Sequence, residues 1–421
     1  MQTTDPTGQS SSRFHPLYTL FNLAILTAIG AWLWHLNTPV PLVEPAMPAS
    51  GKLQCVSYAP YYGKDQTPFK EDTVIAPTQI DQDLAVLAER FECVRIYSVD
   101  QGLSHVPKAA EKLGMKVLLG AWIGGKSSKN DRELDMAIKI ANDYPQTVKG
   151  LIVGNEVLLR RELTPAALRM YIERAQAGTE VPVTYADVWE FWIKNKELES
   201  AVDYLTVHIL PYWEDHPVSA EQGVQHTHDV MFRLSSIFTK PLFIGETGWP
   251  SVGRQRQEST PSLVNEARYL REFLQLAHEK QWNYNLIEAI DQPWKRDLEG
   301  AVGGYWGLYG TDLQPKFGFT GSLQERMDDW RVLVWPIAGA LLWLAYGWRL
   351  GLRRWSLLSA TALGAVTGGF AMLQIEYLLV ASRNLVEWIA LGSIAVAGWF
   401  TALLIPRIVA GRTTAVLFSY Q

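Results

Sequence analysis

The chain is poor in the residues that announce metal or redox chemistry. It has two cysteines, Cys55 and Cys93, and no Cys/His set with the spacing of a zinc site. It also lacks the Gly-x-x-x-x-Gly-Lys loop that cradles phosphates. Charged residues make up only 19% of the chain and the net charge is −5, so nothing electrostatic points to nucleic acid as a partner. Residues 37–52 ("NTPVPLVEPAMPASGK") are rich in proline, have no hydrophobic period, and read as a linker.

What the chain has in quantity is apolar residues, 48% of its 421 positions, and 17 tryptophans. Leu17–Leu36 is long enough to cross a bilayer, which takes about 20 residues. A cleaved signal peptide is the alternative, but its apolar region is shorter, roughly 7–15 residues. Three more apolar stretches, Val332–Trp348, Trp355–Ile375 and Leu385–Ile405, carry tryptophans near their ends and read as membrane spans rather than as a buried hairpin. Arg349, Arg353 and Arg354 lie between the second and third spans, Arg407 and Arg412 follow the fourth, and Arg383 stands alone between the third and fourth. The positive-inside bias therefore puts the 349–354 loop and the tails, 1–16 and 406–421, in the cytoplasm. The segment from about Asn37 to Arg331 is then outside, in a periplasm-like space, and Glu376 and Glu387 sit at the interface. Such a compartment permits a Cys55–Cys93 disulfide, with two buried free thiols as the other possibility.

Between the linker and the C-terminal spans one unit repeats. Short apolar strands are expected at 53–61, 93–99, 115–123, 149–157, 181–189, 202–210, 241–249 and 284–294. The segments between them are polar with helical spacing, such as Ile80, Leu84 and Leu87 in 78–90. Strand–helix alternation repeated eight times predicts an α/β fold, a (β/α)8 TIM barrel over 53–321, with one membrane helix before it and three after it over 332–405. A doubly wound open sheet is the runner-up, but it usually has fewer strands.

In such barrels the active site forms at the C-terminal strand ends. Strand four ends in "VGNE" (Asn155, Glu156) and strand seven in "GETGW" (Glu246, Trp249). Strand two contributes Arg95 and Tyr97, strand three Trp122, strand five Tyr185 and Asp187, strand six His208, Tyr212 and Trp213, and strand eight Trp294 beside Asp291 and Gln292. Glu156 alone reads better as a glutamate paired with Arg160, and His208 reads equally well as a hydrogen-bonded core imidazole. Two strand-end carboxylates among aromatic rings suit glycoside hydrolysis, in which one carboxylic acid protonates the leaving oxygen and a second carboxylate attacks the anomeric carbon. Asn155 beside the acid can hydrogen-bond a sugar 2-hydroxyl. No metal or cofactor is needed for that chemistry.

"VGNE" and "ETGWPS", with "RIYSVDQ" (95–101) and "GGYWGLYGTDLQPKFGF" (303–319), resemble glycoside hydrolase family 17, especially its bacterial β-glucan-modifying branch. The resemblance spans roughly 53–321. It implies Glu156 as acid/base and Glu246 as nucleophile of a retaining enzyme on β-1,3-glucan, and it leaves the membrane spans unexplained. Those spans and the arginine bias are what place the chain in a bacterial inner membrane with the barrel outside. Three readings follow. The first is a transglycosylase that branches or closes nascent glucan, with β-1,6 links as one outcome. The second is a tethered hydrolase, and the third a non-catalytic glucan-binding subunit of a synthase. The first is favoured because four spans suit an enzyme held beside a membrane β-glucan synthase. β-Glucan and the lipid bilayer are the partners common to all three.

Overall fold

The computed structural model describes residues 16–409. Residues 1–15 and 410–421 of the expected tails, Arg412 among them, lie outside the described residues, while 406–409 continue the last helix rather than the tail. Two compact units are present: Val40–Leu323, and Met1–Pro39 together with Gln324–Gln421.

Within Val40–Leu323 eight parallel strands close in sequence order. They are β1 (Leu53–Ser57), β2 (Phe91–Arg95), β3 (Lys116–Ala121), β4 (Val148–Asn155), β5 (Val183–Val188), β6 (Leu205–His208), β7 (Leu242–Thr247) and β8 (Asn283–Leu286). The strands read as apolar runs because both faces are covered. Their outward residues pack under helices, while Cys55, Cys93, Leu118, Ile152, Ala186 and Phe243 form a separate apolar layer. The two-residue period of a strand then puts Ser57, Arg95 and Gly245 on the same inward side one layer higher. Cys55 and Cys93 are register partners on β1 and β2 and are joined as a disulfide.

The helices start where short polar side chains can cap them. Thr164 accepts from Ala167 N ahead of the helix Pro165–Gly178, and Ser262 accepts from Asn265 N ahead of Leu263–Lys280. The expected linker is drawn onto the barrel at three points: Val40 pairs with Leu323, Glu44 accepts from Gly321 N, and Ala46 N donates to Gln275.

Most strands end short of the expected bounds, and the last departs furthest. The apolar run 284–294 is not a single strand: β8 ends at Leu286, single bonds from Ile287 N to Thr247 O and from Ala289 N to Ser57 O follow it, and the backbone of 288–291 also pairs with 306–309. Glu288 therefore stands just past the strand end. Asp291 and Gln292 hold loops, through Lys316 and the carbonyl of Ala59.

In the other unit, four helices (Pro16–Leu36, Trp330–Arg349, Arg354–Ala381 and Leu385–Ile408) are long and apolar enough to cross a membrane by length and composition. Gly339 and Gly364 let two of them meet backbone to backbone: a Cβ on either would lie 2.1 or 2.4 Å from the other's carbonyl oxygen. Glu376 is paired, receiving both Nη atoms of Arg326 at 2.7 and 3.0 Å.

Candidate active site

Four strands bring one charged ring together. Arg95, at the end of β2, donates from Nη1 to Gly245 O at 2.8 Å and to Glu246 Oε1 at 3.2 Å, and from Nη2 to Asn155 Oδ1 at 2.6 Å. Its guanidinium lies 4.6 Å from the centre of the Tyr97 ring, and the Tyr97 hydroxyl donates to Glu246 Oε1 at 2.8 Å. His208, the last residue of β6, places Nδ1 2.9 Å from Glu156 Oε1 and Nε2 3.5 Å from Glu246 Oε1. Only a glycine fits at 245, since a Cβ there would lie 2.4 Å from Thr206 Cγ2 and 3.1 Å from the His208 ring. The contacts to Glu246 gather on Oε1 and leave Oε2 without one of them.

Glu156 follows β4 in the left-handed region, at φ +54°, with its N–H bonded to Ala186 O. A side chain rarely adopts that conformation, and it costs on the order of 1 kcal/mol. Here it turns the carboxylate to His208. One oxygen of Glu156, a His208 nitrogen and one oxygen of Glu246 lie within 4.8 Å of one another. That spacing could hold a metal ion, but His208 turns a different ring nitrogen to each carboxylate, which suits a proton better than one shared ion.

Burial pushes the Glu156 carboxyl up, but the hydrogen bond and charge of His208, with Arg160 and Arg95 behind, outweigh it and hold the group below the ordinary glutamate range. Asp187, on β5, is driven the other way: burial lifts it to about 6, against hydrogen bonds from Tyr185 and from Val188 N. Arg160 does not pair with Glu156. It binds Glu162 and the carbonyls of Asn155 and Ile123, and its guanidinium covers the Trp122 ring at 4.4 Å.

Several aromatic residues expected to meet sugar stand behind the wall instead. Trp249 is 0% exposed, with Nε1 bonded to Thr260 O. Tyr185 is buried, receiving Leu158 N and donating to Asp187, and Tyr212 is buried with its hydroxyl on Arg254 O. Arg95 is buried too, so it orients Asn155 and Glu246 rather than meeting solvent. Trp213, stacked on Trp306 with centroids 6.3 Å apart, remains half-buried. So does Trp294, which packs edge-on against the exposed Phe69 at 5.4 Å. Trp122 is the most open of the set, 40% exposed.

Three residues were not singled out from the sequence. Glu288, fully buried past β8, takes Lys295 Nζ at 2.8 Å, and burial, opposed by Lys295, lifts it to about 7. Lys295 in turn feels the charge of Glu246. Glu133, on the helix Ser127–Asp143, accepts from Ser98, Val99 N and Trp122 N and ties two rim loops together. The misread end of β8 hid the first two. Glu133 lies on a polar helix face, where an acid reads as solvated.

A family model, the BtgE/BtgC glycoside hydrolase domain, matches residues 55–307. A "Glucan 1,3-beta-glucosidase" of Candida albicans is 25% identical over 259 residues, covering 56% of this chain and 84% of that protein. A "Putative glucan endo-1,3-beta-glucosidase btgC" of Aspergillus niger is 28% identical over 246 residues, 51% of this chain and 35% of that one. Among solved structures, an active-site mutant of Rhizomucor miehei beta-1,3-glucanosyltransferase in complex with laminaritriose superposes with a TM-score of 0.56 at 25% identity, over 65% of this chain and 98% of that one. The matched region holds the closed barrel and both strand-end glutamates, and the chain belongs to the BtgE/BtgC glycoside hydrolase domain family.

Proposed function

We propose that this protein is a retaining β-1,3-glucan transglycosylase, in which Glu246 is the nucleophile and Glu156 the acid/base. The observation that carries the reading is the approach of the two carboxylates at His208, where one oxygen of each lies within 4.8 Å of the other. Retaining glycosidases set their carboxyl groups about 5–5.5 Å apart and inverting ones roughly 6.5–9.5 Å, so nearest oxygens this close favour the retaining arrangement.

In the first step Glu246 Oε2 attacks the anomeric carbon while Glu156, acting in its protonated form, which the His208 contact makes the minor one in the free enzyme, gives its proton to the departing glycosidic oxygen. Arg95 and Tyr97 hold Oε1, so the attacking oxygen is aimed without being capped. In the second step Glu156 takes the proton of an incoming hydroxyl, that oxygen bonds to the anomeric carbon, and the bond to Glu246 breaks. Asn155 has its Oδ1 taken by Arg95, which leaves Nδ2 to donate to the sugar 2-hydroxyl.

The likeness to a glucanosyltransferase supports transfer to a sugar, and the glucosidase relatives support water as the competing acceptor. Four helices long and apolar enough to cross a membrane support a multi-pass membrane enzyme. Our reading places it in a bacterial inner membrane, with its barrel on the periplasmic side beside a β-glucan synthase. There it would branch or close nascent glucan, with β-1,6 links as one outcome. The intact carboxylate pair argues against a merely glucan-binding subunit. The test is to incubate the purified protein with a β-1,3-gluco-oligosaccharide of single length, beside Glu246→Gln. Products longer than the substrate, or newly linked, are expected. Shorter products alone would make it a hydrolase.

A further inference from the structure

We infer that Trp122, backed by Arg160, is the acceptor platform of this enzyme: the surface that holds the incoming sugar and decides whether the glycosyl-enzyme passes to glucan or to water. The inference rests on the retaining reading above and adds to it a residue that sets the fate of the intermediate.

The side of the cleft follows from the chemistry. Glu156 handles both the departing oxygen and the incoming one, so the sugars that carry those oxygens lie against Glu156 and its neighbouring strands. β4 lies between β3 and β5. Of the aromatic residues on the segments after β3, β4 and β5, Trp189 and Trp192 are buried, and Trp122 alone among the described residues is more than a third exposed. It is the first residue beyond β3, at the active-site end of the barrel.

The ring is also held, as a binding surface must be. Its backbone N–H donates at 3.2 Å to Glu133, a carboxylate that also fixes the 98–99 loop. Arg160 covers it at 4.4 Å and reaches the carbonyls of Asn155 and Ile123, which flank the acid/base and Trp122. The platform and the acid/base are thereby fastened to one guanidinium. An aromatic ring fixed in this way offers a flat apolar face to a pyranose at little cost in side-chain entropy. A water molecule gains nothing from that face, so the platform favours sugar over water as the group whose proton Glu156 removes.

The test compares two substrates on full-length protein: a β-1,3-gluco-hexaose, whose leaving and incoming groups are sugars, and 4-nitrophenyl β-laminaribioside, whose leaving group is not. For Trp122→Ala, kcat/KM is expected to fall about tenfold further on the hexaose than on the aryl glycoside, and the ratio of transfer to hydrolysis products to fall by a similar factor. Trp122→Phe is expected to recover most of both. Equal losses on the two substrates, or an unchanged product ratio in a wild type that does transfer, would overturn the inference. If the wild type only shortens the hexaose, the transglycosylase reading fails, and the platform stands or falls on the hexaose-to-aryl ratio. A wild type inert on both substrates would remove the platform together with the reading it rests on.

Discussion

Replacing His208 by leucine removes a hydrogen bond at 2.9 Å to Glu156 and the charge that helps hold that carboxyl below its ordinary range. What remains is burial, which pushes Glu156 up, opposed by Arg160 and Arg95. A hydrogen bond to a charged partner is worth about 1.5–3 kcal/mol, and losing it leaves burial to push Glu156 up. A higher pKa keeps the acid protonated to higher pH, so the alkaline limb of kcat/KM moves up. The assay is a pH profile of aryl β-laminaribioside cleavage, wild type against His208→Leu, with circular dichroism to show that the variant is folded. An alkaline limb that stays in place, or moves down, would refute the role given to His208.

Exogenous azide distinguishes the two carboxylates. With Glu246→Ala it should give an α-glycosyl azide, because it enters from the nucleophile's face, and with Glu156→Ala a β-glycosyl azide, read by NMR. Swapped anomers would reverse the two roles. The Cys55–Cys93 bond closes a separation of 38 residues, so Cys55→Ala with Cys93→Ala should lower unfolding stability by roughly 4 kcal/mol in a denaturant titration. No change would mean that the bond constrains little of the unfolded chain. The protein should also stay with membranes through an alkaline carbonate wash, and its release would argue against helices that span.

Much of the barrel is legible because parallel strands and their covering helices carry different periods, and the N-caps at Thr164 and Ser262 mark where one gives way to the other. The two glutamates stand out for a related reason: a carboxylate at the end of an apolar run has no cheap structural explanation. Legibility fails where the backbone changes partner without a change in composition. Residues 288–291 lie within a run that reads as a strand, yet they pair with 306–309, and Glu288 with Lys295 is hidden as a result. It fails again in the loops, which have no period. Trp122 and Trp249 each sit just past a strand end, but one is open to solvent and the other is covered, because Trp249 packs on Tyr269 and Tyr212 while Trp122 has Arg160. Arg160, which the sequence places beside Glu156, pairs instead with Glu162, two residues on.

The central claim is that Glu156 and Glu246 work as a retaining pair, and the anomer of the first product tests it most directly. Cleavage of a β-1,3-gluco-oligosaccharide, followed by proton NMR from the first seconds, should show the β anomer forming first and mutarotating later. An α anomer formed first would mean inversion, and it would contradict the nucleophile, the covalent intermediate and the transfer to sugar that depends on it.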